Sequence, residues 1–303
     1  MLTRAVDDYL AVRRAAGFAL NVDAGLLRDF ARFAGDRAQT QVRQQTAIEW
    51  AAQAPSPAQR ERRLGMVRRL AVYLRAEDSV HERVPRNVFA HRRTRPLPYL
   101  LSDRELQQLL AATARLRPRG SLRPLTYCTL FGLLAATGLR ISEALHLALD
   151  DIDADGLVIR QTKFRKSRLV PMHETTAAAL DRYVAQRRAV AGGDAHVFVA
   201  ATGRPLTYPM VNGTFHFLLR FVELQATLDK RAPRIHDMRH RFAVRALECA
   251  AGDRDHVARH MLALSTYLGH THVADTYWYL HATPHLMRHI ADACAARATG
   301  GTL

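Results

Sequence analysis

ATGLRISEAL, residues 136–145, interrupts a long apolar segment with a glycine followed by an arginine. The preceding residues, 125–135, are apolar at most positions, which predicts a buried helix. Gly138 suits the left-handed end of that helix, and Leu139 onward begins the next one. This stretch therefore predicts two helices that meet in the apolar core of a mainly helical fold.

Arg140 lies in the first turn of the second helix, beside buried apolar surface. A guanidinium group at the edge of a core requires an anionic partner. Glu143, three residues further on, is one candidate, and a bound phosphate is the other. The residues by themselves leave both alternatives open.

HDMRH, residues 236–240, places two histidines and an arginine on one face of a helix. His236 and His240 have the spacing of a helical zinc pair, but Asp237 replaces the glutamate of that motif. The fixed charge of Arg239 would also be unfavourable beside zinc. We therefore predict no metal here, and favour an anion cradle in which Arg239 holds an oxyanion and the histidines donate hydrogen bonds.

LGHTHVADTYWYLH, residues 268–281, contains two tyrosines, Tyr277 and Tyr279. Residues two positions apart on a helix point about 200° apart, so only one of them can face a cleft. The reference pKa of tyrosine is about 10, so a reactive phenol would need cationic neighbours or a base.

One β signal occurs in the second half of the chain. LVIRQT and SRLVPM flank KFRK, which predicts a hairpin over 157–172. Its tip contains Lys163 and Lys166, two of only three lysines among 44 basic residues. Arginine is this chain's usual positive charge, and lysine, unlike arginine, can release a proton near a phosphate. Lys163, with Lys166 as the alternative, is therefore a candidate for proton transfer.

The overall charge indicates the class of partner. The chain has 303 residues, a formal net charge of +16 and a pI near 10.7. Such a protein is suited to a polyanion, and nucleic acid is the leading candidate. We see no segment long enough to cross a membrane and no cysteine pattern typical of disulfides or zinc, so we expect a cytoplasmic protein.

Residues 1–95 carry 18 arginines against 10 acids, so half of the net charge lies in this segment. Apolar residues recur at helical spacing, which predicts a bundle of about four helices over these segments: 3–16, 21–34, 43–53 and 57–77. The last of them is crowded with arginine. A solvated face would explain this, but phosphate contacts are favoured by the other basic stretches. We predict an N-terminal DNA-binding domain (1–90), a linker (91–98) and a C-terminal domain (99–303).

Five motifs occur in order: TGLRISEAL, the lysine of QTKFRKSRLVP, HDMRHRFA, LGH, and a tyrosine nine residues after that histidine. Together they resemble the tyrosine recombinase (phage integrase) family, and the strings ALSTYLGH and DTYWYL resemble a branch associated with transposons or other mobile elements. The resemblance covers about 120–281, and the N-terminal bundle fits that family's core-binding domain. It implies a mainly α, two-domain DNA clamp with a small antiparallel hairpin or sheet. Arg241 and the long stretch from His240 to Leu268 depart from the pattern.

The resemblance also implies roles. Arg140 and Arg239 would bind the non-bridging oxygens of a scissile phosphate, and His236 and His270 would assist by hydrogen bonding or proton transfer. Tyr279 would attack phosphorus, and a lysine would protonate the leaving 5′-oxygen. Tyr277 and Trp278 would then be packing residues. The residues we expect to contact DNA are Arg62, Arg63, Arg69, Arg165, Lys166 and Arg168.

The predicted function is cleavage and rejoining of double-stranded DNA at specific sites through a 3′-phosphotyrosyl link, without metal, ATP or other cofactor. We expect a tetramer on two sites. The tail after the tyrosine would dock on another protomer, although packing on its own domain is the alternative. A type IB topoisomerase is a close rival, and a non-catalytic helical DNA-binding regulator or a zinc hydrolase is a rival of another class.

Overall fold

The amphipathic segments of the N-terminal third fold into helices close to their predicted bounds. The described helices of this part are α1 (Leu2–Ala15), α2 (Asn21–Gly35), α3 (Gln44–Ala52) and α4 (Pro57–Leu74). Ser56 caps α4, since its hydroxyl accepts from the Gln59 backbone N–H, and Pro57 occupies the first helical position. α4 ends at Leu74, three residues before the predicted end.

The computed structural model describes residues 2–18, 20–89, 98–160, 167–190, 193–226, 231–249, 254–277 and 279, with backbone alone at 21 and 254–257. The chain forms two compact units, 1–96 and 97–303. Apart from Pro98, the predicted linker 91–98 lies outside the described residues. In the described part, no helix is both long enough and apolar enough to cross a bilayer.

The core of the first unit is built from the inner faces of its helices. Trp50 is fully buried, and its ring meets Phe30 edge-on with centroids 5.4 Å apart. Leu64, Val67 and Leu70 of α4 are buried at the spacing that predicted the helix. This leaves the arginines of α4 outside the core.

A capping box at Ser102 begins the first helix of the second unit. The Ser102 hydroxyl accepts from the Glu105 backbone N–H, and the Glu105 carboxylate accepts from the Ser102 backbone N–H. The described helices of this unit are α5 (Asp103–Ala112), α6 (Arg123–Thr137), α7 (Ile141–Leu145), α8 (Glu174–Val190), α9 (Tyr208–Phe221), α10 (Ile235–Glu248), α11 (Arg254–Leu268) and α12 (Ala274–Tyr277).

The predicted hairpin belongs to a three-stranded antiparallel sheet in the described residues. Its strands are β1 (Ile152–Asp153), β2 (Gly156–Ile159) and β3 (Arg168–Val170), in that order. Leu157 pairs with Val170 and Ile159 with Arg168. β1 was not predicted, because two residues are too few to show alternation. The sheet delivers Arg168 to the neighbourhood of α7 and α11.

The junction of α6 and α7 has the geometry predicted for ATGLRISEAL. Gly138 has φ +63°, the left-handed conformation that favours glycine. A Cβ there would lie 2.5 Å from Cδ1 of Phe242 on α10. The glycine therefore permits both the turn and the close approach of α10, which brings the start of α7 next to the HDMRH segment.

Candidate active site

Arg140 lies at the N-terminal end of α7, where Glu143 holds it in two ways. Its backbone N–H donates to Glu143 Oε2 at 2.9 Å, and its Nη1 donates to Glu143 Oε1 at 2.7 Å. The guanidinium also donates to the carbonyls of Leu268 at 3.4 Å and Gly269 at 3.1 Å. Of the two partners left open by the sequence, the structure contains Glu143, and the Arg140 side chain remains 31% exposed.

Glu143 is shared with a second arginine. Arg168 Nη1 donates to Oε1 at 3.1 Å and Nη2 to Oε2 at 2.9 Å, a bidentate pair. Burial by itself would raise the pKa of the Glu143 carboxyl, but the hydrogen bonds from Arg168 and Arg140 outweigh it and lower the pKa to about 2. Glu143 is therefore a carboxylate throughout the physiological range.

Arg239 is buried on α10, with only 2% of its surface exposed. Its Nη1 donates to the Gly138 carbonyl and its Nη2 to the Leu268 carbonyl, both at 2.7 Å, and it also hydrogen-bonds the Tyr279 side chain. Burial, followed by the charge of Arg140, lowers the pKa of Arg239 to about 10. The group stays charged at neutral pH, and its orientation is set by the backbone.

Three guanidinium groups donate hydrogen bonds to backbone carbonyls at the C-terminal end of α11. The carbonyls of Tyr267, Leu268 and Gly269 accept from Arg168, Arg239 and Arg140. The last carbonyls of a helix lack intrahelical partners and carry partial negative charge, so cations are favourable there. The arginine cluster is thus assembled by a helix end and one carboxylate.

His270 and Tyr279 pack against each other beside this cluster. Their ring centroids are 6.0 Å apart and the planes differ by 17°, which is a stacked arrangement. A 2.8 Å hydrogen bond joins His270 Nδ1 and Thr276 Oγ1. Burial, followed by the charge of Arg239, lowers the pKa of His270 to about 4. His270 is therefore neutral near pH 7.

The HDMRH face continues the site on α10. The rings of His236 and His240 meet edge-on at 4.6 Å, and the His240 ring lies 5.4 Å from that of Tyr279. His236 keeps contact with solvent. Desolvation by the surrounding protein and the charge of Arg239 lower the pKa of His236 to about 4. This histidine is also neutral near pH 7.

The two tyrosines have opposite environments. Tyr279 is 3% exposed and packs with Val244, Leu264 and Leu268 of α10 and α11, whereas Tyr277 is 53% exposed. This agrees with the prediction that only one of them can face the site. The interpretation of Tyr277 as a packing residue is wrong, because its side chain points to solvent; Trp278 lies outside the described residues.

The sequence profile of the phage integrase family matches residues 100–285, which contain every residue of this site. A Sinorhizobium fredii protein named as integrase/recombinase y4rB is 41% identical over 296 residues, 94% of each chain. This chain belongs to the phage integrase family.

Further similarities agree with this assignment. Tyrosine recombinase XerD of Caulobacter vibrioides is 30% identical to the recombinase over 245 residues, 78% of this chain and 75% of XerD. The structure of the Tn1549 transposon integrase with a circular intermediate DNA superposes with a TM-score of 0.65 at 19% identity, covering 92% of this chain and 94% of that one. At that identity the structural match shows the fold alone. The recombinase is a DNA strand transferase of the tyrosine class that acts in site-specific recombination.

The zinc alternative is not supported by the position of Asp237. Its fully buried carboxylate accepts from the guanidinium groups of Arg231 and Arg234 and from the Arg234 backbone N–H. It therefore anchors the start of α10 and does not face a ligand. Within the described ranges, no three His, Cys, Asp or Glu side chains are grouped to hold a metal ion.

The departures from the family pattern also have a structural account. Arg241 donates to the Leu101 carbonyl at 2.9 Å and, with Arg245, pairs with Asp103 at the start of α5. Arg241 therefore ties α10 to α5. The long stretch from His240 to Leu268 contains the second half of α10 and all of α11, whose C-terminal end supplies the acceptor carbonyls.

The predicted hairpin residues divide into two groups. Lys163, Arg165 and Lys166 lie outside the described residues, so their roles stay predictions. Arg168, predicted as a DNA contact, is described. Its side chain is 11% exposed, and its guanidinium is directed to Glu143 and the Tyr267 carbonyl. These contacts were not predicted, because the partners lie far away in sequence.

Each predicted DNA contact of the first unit already has a partner within the protein; Arg62 and Arg69 are exposed, and Arg63 is half-buried. Arg62 pairs with Asp23 at 3.1 Å, Arg69 approaches the same carboxylate at 3.9 Å, and Arg63 lies over the Trp50 ring at 5.1 Å. Surface pairs of this kind are weak and open readily. They compensate part of the positive charge on this face.

A second basic surface on the first unit was missed by the sequence analysis. It is a groove of about 640 Å³ beside α4, which we call the arginine groove; it is lined by Gln44, Arg68, Ala71, Val72, Arg75, Arg83, Val84, Pro85 and Arg86. Among the described residues, Arg83 and Arg86 have no carboxylate partner. These two arginines lie outside any helix, so no periodicity linked them to α4.

Proposed function

We propose that Tyr279 is the nucleophile with which this recombinase cleaves DNA. One observation carries the proposal: Tyr279 is hydrogen-bonded to Arg239 and stacked beside His270, in the same cluster as Arg140. The Tyr279 oxygen would attack phosphorus, the bond to the 5′-oxygen would break, and a 3′-phosphotyrosyl link would form. Attack by a 5′-hydroxyl on that link reverses the cleavage step, rejoins the DNA strand and releases the tyrosine.

The charge balance of the cluster suits a phosphate. The cluster contains three guanidinium groups, those of Arg140, Arg168 and Arg239. Its one carboxylate, Glu143, pairs with Arg140 and Arg168, so positive charge is left over. Phosphoryl transfer depends mainly on positioning and on neutralising the equatorial oxygens. We propose that Arg140 and Arg239 perform both tasks, since their orientations are already set by protein carbonyls.

Neutral histidines suit hydrogen bonding to the same phosphate. With their pKa values near 4, His236 and His270 can each donate one ring N–H at pH 7 and accept at the other nitrogen. We propose that His270, oriented by Thr276, bonds a non-bridging oxygen, and that His236 does so from α10. Lys163 remains our proposal for the acid that protonates the leaving 5′-oxygen.

The DNA partner would extend over both units. We propose that the arginine groove of the first unit contacts the DNA backbone, with Arg62, Arg63 and Arg69 as the alternative surface. Exposed arginines without a carboxylate partner release the most counterions when they meet phosphates. The two surfaces lie on different faces of α4, so mutagenesis can separate them.

We also propose that recombination requires a homo-oligomer, a tetramer on two DNA sites. The tail 280–303 lies outside the described residues, and its docking on another protomer stays a prediction. Truncation at Arg288 is expected to reduce recombination more than binding to a single site. Equal losses would favour docking within the same protomer.

The direct test of the proposed chemistry is to trap the covalent adduct. Incubation with a nicked DNA site should yield an adduct that resists denaturation, and fragmentation of the modified peptide in the mass spectrometer should locate the nucleotide on Tyr279 itself. Attachment to Tyr277 would overturn the assignment. Absence of any adduct on a site that the protein binds would favour a non-catalytic regulator, and relaxation of DNA lacking a site would favour a topoisomerase.

A further inference from the structure

Arg168 belongs to the predicted DNA-contact set, yet its side chain is only 11% exposed, compared with 59% for Arg62 and 56% for Arg69. It stands at the start of β3, and its guanidinium makes three hydrogen bonds inside the protein: two to Glu143 and one, from Nε, to the Tyr267 carbonyl at 2.8 Å. A guanidinium group bonded in this way is held in one orientation. Little of this side chain remains to meet a DNA phosphate.

The backbone of the α11 end is fitted to this guanidinium. Gly269 has φ +66°, and a Cβ on it would lie 2.8 Å from Nη1 and 3.0 Å from Cζ of Arg168. The plane of the guanidinium therefore rests against the Leu268–His270 turn, in space that a side chain would fill. The same turn supplies the Leu268 and Gly269 carbonyls that hold Arg140.

Glu143 connects Arg168 to Arg140. Its Oε1 accepts from Arg140 at 2.7 Å and from Arg168 at 3.1 Å. With both arginines present, one negative charge is divided between two cations. Without Arg168, the carboxylate would be free to form an undivided pair with Arg140 and cancel the charge that a phosphate requires.

We propose that Arg168 is a positioning residue. It holds Glu143 and the end of α11 so that Arg140 keeps its orientation and its charge for the scissile phosphate. This inference rests on the proposed role of Arg140. It replaces the DNA contact predicted from sequence with an action through a neighbouring residue.

The experiment compares Arg168→Ala and Arg168→Lys with the parent enzyme. Single-turnover adduct formation is measured at saturating DNA, and affinity is measured as a function of salt. We expect the cleavage rate to fall roughly 10²-fold, the loss associated with a misplacement of about 1 Å, while affinity and salt dependence stay close to the parent values. Lysine keeps the charge but cannot form the bidentate pair, so Arg168→Lys should also be impaired.

The matched control is Arg160→Ala. Arg160 directly follows β2, is largely exposed and pairs with Asp151. The substitution therefore removes an arginine next to the sheet that has no contact with Glu143. Its cleavage rate should stay within about two-fold of the parent, because the arginine end of the pair is exposed. The buried Asp151 carboxylate keeps its hydrogen bond from the Ala148 backbone N–H. Thermal melting identifies any variant that fails to fold. If Arg168→Ala does not fold, the cleavage rate of Arg168→Lys tests the proposal.

A double-mutant cycle tests the route of the effect. If Arg168 acts through Arg140, Arg168→Lys should cost little in an Arg140→Ala background. Full additivity would overturn the proposal, as would a loss of affinity with a salt slope reduced by about one phosphate contact. These outcomes differ from failure of the proposed chemistry. That failure would appear as adduct formation that persists in the Tyr279→Phe or Arg140→Ala variant.

Discussion

The arginines of the two units are used in different ways. In the second unit, Arg239 and Arg168 are nearly enclosed and donate to backbone carbonyls or to Glu143. In the first unit, Arg83 and Arg86 are exposed beside a groove, and no carboxylate of the described residues pairs with them. The same residue type is rigid in one region and solvated in the other.

The difference separates chemistry from affinity. A guanidinium held by carbonyls has lost its rotamer freedom during folding, so it needs no reorganisation when charge develops on a phosphate. A solvated guanidinium contributes through counterion release, which is sequence-independent and depends on salt. Changes in the first group should therefore alter rates, and changes in the second should alter binding.

The largest effect is expected for the nucleophile. Tyr279→Phe removes the attacking oxygen from a ring that stays buried, so adduct formation should fall by roughly 10⁴-fold or more while DNA affinity is kept. Tyr277→Phe is the matched control on the exposed side of the same segment and should form adducts at the parent rate. Both are measured by single-turnover cleavage of a nicked site. Loss of the adduct in Tyr277→Phe alone would reverse the assignment.

The next effect should come from a rigid arginine. Arg239→Lys keeps a positive charge, but the lysine ammonium lacks the planar fork with which a guanidinium can reach two carbonyls and a phosphate. Cleavage should therefore slow by up to about 10³-fold. Affinity should change little, because the group is enclosed. If the variant loses affinity but cleaves normally at saturating DNA, Arg239 contributes to DNA binding and not to the cleavage step, as the solvated arginines of the first unit do.

Lys163→Ala tests the residue for which the structure supplies no geometry. Cleavage of normal DNA should slow by roughly 10²-fold, the usual contribution of a general acid. A substrate with sulfur at the 5′-bridging position should be cleaved nearly as fast as by the parent, because a thiolate leaves without an acid. Rescue of Lys166→Ala and not Lys163→Ala would exchange their roles. Rescue of neither would exclude both as proton donors.

A smaller effect, confined to binding, is expected in the first unit. The double variant Arg83→Gln, Arg86→Gln should lower the slope of log affinity against log salt by about 2, since each lost phosphate contact contributes about 0.9. Cleavage at saturating DNA should be unchanged. Arg62→Gln with Arg69→Gln, whose side chains are paired with Asp23, serves as the comparison and should change the slope less. The opposite order would favour the face predicted from sequence.

The smallest effect concerns pH. The folded-state pKa of His270 is about 4, below the unfolded value of about 6.5, so the unfolded chain binds more protons between these values. The stability of the DNA-free protein should be full above about pH 6.5 and decline as pH falls toward 4. His270→Gln should show a weaker decline in melting temperature between pH 7 and 5. An unchanged decline would show that His270 does not contribute to it.

Local features were predictable because their signals are local. The helices of the first unit follow from 3.6-residue periodicity, Ser102 and Glu105 are close enough to cap α5, and Gly138 marks the end of α6. The opposite exposure of Tyr277 and Tyr279 agrees with the expectation that only one of them faces the site, but α12 ends at Tyr277, so helix geometry is not the reason. Strand β1 and the arginine groove were missed, since neither produces a periodic pattern.

By itself, the sequence determined the order of the helices, the family motifs and which residue types stand at the site. Only the tertiary structure decided which acceptors hold each arginine. The Leu268 carbonyl accepts from both Arg140 and Arg239, and Glu143 accepts from Arg168. Every residue has a backbone carbonyl, so the residue type does not indicate which carbonyl will accept. The paired groups are also far apart in sequence and meet only when α7, α10, α11 and the sheet pack together, so no local sequence pattern predicts them.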